Sequence, residues 1–272
     1  MSTEIYPQAP VRFVAFALRF PLSPKLQHRE TKEAVYERLA ETFPLFENVG
    51  AVSVQMPLVG AAAGQSAVQA AMPEKARMMN RERTRSVTLG PRMIAVEGTE
   101  HSSFEHLREL IDQVLQALVE VAAPSGMSGV ALNYVDEIRH PSVSTPASWK
   151  GLLADSLLGP TSLSKLEAEQ TGGFAVYQLS EQHQLRLGYG AASEGFAVDP
   201  DGPLRVEGHE SGAFFRLDID SEWSAPEDSV PPLVVSDVLS IADTLHDAIR
   251  DAFESAITPT LREHFRGTDG DG

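Results

Sequence analysis

The chain has 272 residues, 42% of them hydrophobic, with a formal net charge of −16 and no cysteine. That size supplies a large core, as one domain or two joined halves, and the missing thiols exclude disulfides, thiolate catalysis and cysteine-ligated zinc or iron–sulfur centres. Residues 1–7 have neither a basic start nor an apolar run, and no stretch approaches membrane-spanning length, so a cytoplasmic protein without membrane contact is expected.

Charge is unevenly spread. Residues 1–100 carry a net +2 and residues 101–272 a net −18. An acidic second half repels phosphates, so nucleic acid is not an expected partner.

In chain order, residues 11–20 are mostly apolar and read as a central strand. Residues 31–43 predict a helix, because Val35, Leu39 and Phe43 recur at four-residue spacing among charges; Pro44 ends it. A strand over 49–57 follows. The stretch 60–76 is small and polar, too poor in apolar area to fix itself in a core, and reads as a mobile connection or a marginal helix. Strands over 77–89 and 92–98 meet at Gly90-Pro91, a turn signal. Ser102 and Glu105 fit a capping box ahead of a helix whose stripe is Phe104, Leu107, Leu110, Ile111, Val114, Leu115 and Leu118.

The order then repeats. Residues 129–138 read as a strand and 146–158 as a short helix with Pro146 in its first turn. Strands are expected at 174–180 and 184–189, shorter pieces at 195–198 and 204–207, and a half-wet strand at 213–220. Val238, Ile241, Ala242, Leu245, Ile249, Ala252 and Phe253 mark a second long helix. One or two helical turns at 259–265 precede a disordered tail, 267–272. Phe16-Ala17-Leu18-Arg19-Phe20-Pro21 is echoed by Asp136-Glu137-Ile138-Arg139-His140-Pro141. The expected fold is therefore α+β: two pseudo-symmetric β-α-β-β-β-α lobes, 1–125 and 126–266, with antiparallel strands and the long helices on one face. Such a unit resembles helix-grip folds, and two side by side resemble the saddle of the TATA-binding protein.

Candidate sites are few. Arg19 and Arg139 occupy equivalent places in the echo, either as an anion clamp, since guanidinium contacts carboxylate or phosphate bidentately, or as ties to strand-end carbonyls and nearby acids. Arg77, Arg81, Arg83 and Arg85 share parity, so one strand would show them on one face; with Arg92 they form the basic cluster, a partner-binding stripe or a charge-protected edge. Asp136 and Glu137, adjacent on a strand, face opposite ways and suggest buried pairing. Asp218, Asp220 and Glu222 lack the glycine turn of a calcium loop. His101 and His106 do not align on a helix face. No hydrolase elbow, dinucleotide fingerprint or Walker loop is legible, so no enzyme, cofactor or metal is expected.

The strand Leu132-Asn133-Tyr134-Val135-Asp136-Glu137-Ile138-Arg139-His140-Pro141 resembles an R-Y-x-N-x-I-x-x-P-like strand of a sporadically distributed bacterial family of unknown function. Pro10-Val11, Leu18-Arg19-Phe20, His246, Phe253-Glu254 and Ile257-Thr258 add to the likeness. The chain departs from it where Asn133 precedes Tyr134 and Asp136 stands in place of Asn. The resemblance implies mobile-element or phage-conflict biology and carries no catalytic residues. The leading expectation is a non-enzymatic accessory or regulatory protein that binds a protein partner or itself, in a salt-sensitive way through the arginine stripe. Two alternatives remain open. One is a small-ligand sensor with a cavity between Phe215, Leu217 and Ile219 on the sheet and Leu245 and Ile249 on the helix. The other is an acidic DNA mimic, which needs the carboxylates of residues 199–254 on one elongated face.

Overall fold

The computed structural model describes residues 6–49, 75–100, 102–163, 166–208 and 211–267. Its elements run β1 (Val11–Arg19), α1 (Arg29–Leu39), β2 (Leu45–Val49), β3 (Lys75–Met79), β4 (Arg85–Gly90), β5 (Met93–Gly98), α2 (Phe104–Val121), β6 (Gly129–Ile138), β7 (Ser162–Leu163), β8 (Leu166–Glu167), β9 (Gln170–Gln178), β10 (His183–Ala192), β11 (Phe214–Ser224), α3 (Val235–Ala256) and α4 (Pro259–Arg266). The expected α+β class holds. Nine strands form one sheet in the order β2-β3-β4-β5-β1-β6-β11-β10-β9, and every pairing in it is antiparallel.

Helices cover one face. On β1 that face carries Val14, Phe16 and Leu18, all buried, while Ala15 and Ala17 point to the other side. Alanines on the far face explain why the strand shows little polar alternation. α3 packs on β6 and β11, α2 on α3, and α1 on α2. Charged clasps join the layer: Arg108 donates to both carboxylate oxygens of Asp243 at 2.7 and 3.2 Å, and Arg38 donates to Glu120 at 2.6 Å. One hydrophobic core runs through both halves of the chain.

The halves meet at β1 and β6. Outward from this pair the order is β5-β4-β3-β2 on one side and β11-β10-β9 on the other.

Several expectations are corrected. The strand over 77–89 is a hairpin, β3 and β4, because Asn80 turns the chain: its Oδ1 accepts from Thr84 N and Arg85 N, each at 2.9 Å. The first half therefore has four strands after α1, not three. The strand over 49–57 begins earlier, as β2, and residues 50–57 lie outside the described residues, as do 60–74 of the polar stretch, His101 and 268–272 of the tail. Ser103, not Ser102, caps α2, accepting from His106 N at 3.2 Å. Residues 146–158 form two 3-10 turns, Pro146–Trp149 and Asp155–Leu157, interrupted by Gly151 at a left-handed φ of 87°. Their role is to seat Trp149, fully buried and edge-on to Phe215.

The pieces 195–198 and 204–207 are not strands. They belong to a strap, residues 193–208, that lies over the face opposite the helices. Ala197 and Leu204 are buried in it, Ala197 against Val135 and Phe214. Its far end reaches the first half: Arg205 N donates to Arg83 O at 2.7 Å, and Thr99 Oγ1 donates to Arg205 O at 2.5 Å.

Candidate functional site

The hairpin disperses the arginine stripe. Arg77 sits on β3 opposite Glu47 and Thr88, and its buried Nε has no hydrogen-bond partner among the described residues. Arg81 and Arg83 are in the turn, where Arg83 adopts a positive φ of 58° and lies 3.9 Å from Glu47. Arg85 pairs with Gly98, so it faces the helices, contacts His106 at 3.1 Å and lies 3.9 Å from Glu100. Thr88, on the face of Arg77, is three residues on, so Arg77 and Arg85 point to opposite faces. Arg92 is in the turn at the other end of β4. Turn chemistry, not strand parity, places these side chains.

Arg19 and Arg139 are not a clamp. Arg19 is opposite Gly129 at the start of β6, and Arg139 follows the end of that strand. At ~3.3 Å per residue they are some 30 Å apart, too far to share a small anion. Arg19 pairs with Glu222. Arg139 donates to Glu137 Oε1 at 2.9 Å and to Gly212 O and Gly195 O, each at 2.8 Å. Both follow the alternative reading, ties to carbonyls and nearby acids.

Asp136 and Glu137 do face opposite ways, with different fates. Glu137 is buried under the strap, where it also accepts from Ala197 N at 2.7 Å. Asp136, on the helix side, is 2% exposed and accepts no side-chain hydrogen bond or ion pair among the described residues. Burial, then the charge of Asp218, pushes its carboxyl up to about 7. Burial likewise raises the neighbouring Tyr134 phenol and lowers His246. His183, buried against Ser221 Oγ at 2.8 Å, is lowered by the same cause.

The acidic side chains do not share a face. Asp218, Asp220 and Glu222 lie on the strap side of β11 beside Arg216, Arg186 and Arg19, whereas Asp237, Asp243, Asp247 and Asp251 belong to α3 on the opposite side. The elongated face a DNA mimic needs is not formed. The sensor cavity is also filled: Phe215, Leu217, Ile219, Leu245 and Ile249 are all core residues.

Motif reading passed over the edge strand β9. It ends the sheet beyond β10, while α3 packs chiefly on β6 and β11, so both its faces are largely open. Phe174 is 70% exposed and Val176, Tyr177 and Leu179 about half exposed. A groove of about 650 Å³ flanks it on the strap side, between Phe174, Phe196 and Phe214. Another of about 490 Å³ flanks it on the helix side, between Tyr177, Leu185 and Ala252. Proteins protect such edges with charge, proline or bulges, yet residues 170–180 contain no charged residue and no proline. That run was a legible signal; its place at the sheet edge was not.

The chain matches no known family model and no curated protein.

Proposed function

We propose that this is a non-enzymatic accessory protein acting by protein–protein contact, with β9 as its contact edge and a second copy of the chain as the occupant. The observation that carries the reading is the uncharged, exposed β9. An unpaired strand presents alternate N–H and C=O groups that another strand can satisfy. The residue sizes favour self-pairing. β9 is small in its first half, Gln170-Thr171-Gly172-Gly173, and bulky in its second, Phe174-Ala175-Val176-Tyr177. In an antiparallel pair centred on Phe174, Val176 of one copy meets Gly172 of the other and Tyr177 meets Thr171. Charge supports the same choice, because two copies of a chain with net charge −16 approach with least repulsion along a neutral segment. A duplicated ancestral unit belongs to the same proposal, supported by the matching outward strand order, β1-β5-β4-β3 and β6-β11-β10-β9.

Light scattering of the full chain at low and high salt tests this. A dimer is expected at both, since the contact is apolar and main-chain rather than ionic. The double change Phe174→Lys, Val176→Lys should give a monomer, and the triple change Arg81→Glu, Arg83→Glu, Arg85→Glu should leave the dimer intact. A monomeric wild type, or a dimer lost with the arginines and kept in the lysine variant, refutes the reading.

A further inference from the structure

A second feature is independent of β9. Between the start of α2, the second half of α3 and the segment before β1 lies a cleft of about 430 Å³, lined on the sheet side by Tyr134 and Asp136 of β6. A volume of that size suits a small molecule. Its walls are aromatic: Phe104 stacks on His246 with ring centroids 3.9 Å apart and planes within 1°, and Tyr6 and Phe253 close the far side.

The charge in the cleft is unbalanced. Asp136, the deepest ionisable group, is 2% exposed and has no donor or cation paired with it among the described residues. Glu254, also in the lining, is already satisfied, accepting from Arg262 Nε and from the Tyr6 hydroxyl, each at 2.8 Å, so the unmet carboxylate is that of Asp136. Among the described residues the one Lys or Arg in the lining, Arg250, is engaged elsewhere, 3.1 Å from Asp247 and 3.6 Å from Asp251. A buried carboxylate without a counter-charge is costly unless something pairs with it. Burial raises the Asp136 carboxyl to about 7, and a cation bound against it would favour the ionised form. His246, held neutral by desolvation, supplies a stacking surface and no compensating charge. Among the described residues no three histidine or acidic side chains converge in the manner of a metal site.

We propose that this cleft binds a small organic ammonium, its cationic nitrogen on the Asp136 carboxylate and its apolar body along Phe104, Tyr134 and Phe253. The ammonium supplies the charge and the donors that Asp136 lacks. The aromatic faces hold both an apolar body and a neighbouring cation, through the ring quadrupole.

The test uses the full chain and two probes of nearly equal shape, 2-phenylethylamine and 2-phenylethanol, titrated calorimetrically at neutral pH. Saturable binding of the amine is expected, with the alcohol about tenfold or more weaker, the usual scale for losing one charge-assisted contact in a buried site. Asp136→Asn should remove that preference, so that amine and alcohol bind alike, while its circular dichroism and urea midpoint show it folded. Equal binding of both probes to the wild type would reduce the cleft to an apolar slot and overturn the proposal. So would failure of the amine to saturate, or an undiminished preference in the asparagine variant. The wild-type comparison stands even if the variant misfolds.

Discussion

Glu137→Ala should destabilise the protein more than any exposed ion-pair change, and the geometry sets the size. The Glu137 side chain is 5% exposed and that of Arg139 12%. Truncation removes the acceptor of Arg139 Nε and of the Ala197 amide, which lie 2.9 and 2.7 Å away. Breaking a buried pair on one side costs about 3–5 kcal/mol. Arg139 keeps its two carbonyl acceptors, Gly212 O and Gly195 O, so the lower end, about 3 kcal/mol, is expected. Lifting the strap would hydrate the orphaned groups, and the cost of lifting it caps the loss. Two measurements are therefore paired: urea unfolding followed by tryptophan fluorescence, and hydrogen exchange at the Ala197 amide. Glu33→Ala, which breaks the exposed pair with Arg29, serves as the control and should lose no more than about 0.5 kcal/mol. If Glu137→Ala unfolds like that control and the Ala197 amide stays protected, the strap is not held by this network and the reasoning fails.

The buried carboxylate also makes stability depend on pH. Asp136 is raised from an ordinary 3.8 to about 7, so the folded state binds its proton more tightly than the unfolded chain does. Its contribution is intact below the unfolded value and is lost as pH rises toward 7, by roughly 4 kcal/mol in all. Asp136→Asn should remove this slope and be the more stable protein above neutrality; wild-type and variant stability curves that run parallel across that window would contradict it. Gly126→Ala should destabilise by about 1–3 kcal/mol, because an added Cβ would stand 2.5 Å from the Pro231 carbonyl oxygen, the acceptor that holds Met127 N at 2.9 Å. A thermal melt reads it, and an unchanged midpoint would show that the loop before α3 yields freely.

Residues close in sequence determined much of this protein directly. The long helices follow from their stripes: Leu107, Leu110, Ile111, Val114 and Leu118 of α2, and Val238, Ala242, Leu245 and Ile249 of α3, are buried as their spacing requires. The opposite orientation of Asp136 and Glu137 follows from strand geometry alone. Apart from the arginine stripe, which a local turn broke, what failed were inferences that needed a partner distant in the chain. The arginine stripe assumed a straight strand, and two side-chain-to-backbone bonds from Asn80 fold it into a hairpin. The proposed clamp assumed that equivalent residues lie together, whereas antiparallel pairing of β1 with β6 sends Arg19 and Arg139 to opposite ends. The exposure of β9 depends on where α3 stops across the sheet, and the isolation of Asp136 on which side chains of α2 and α3 close over β6. Periodicity reports which side of an element is apolar; only the tertiary arrangement decides what covers it.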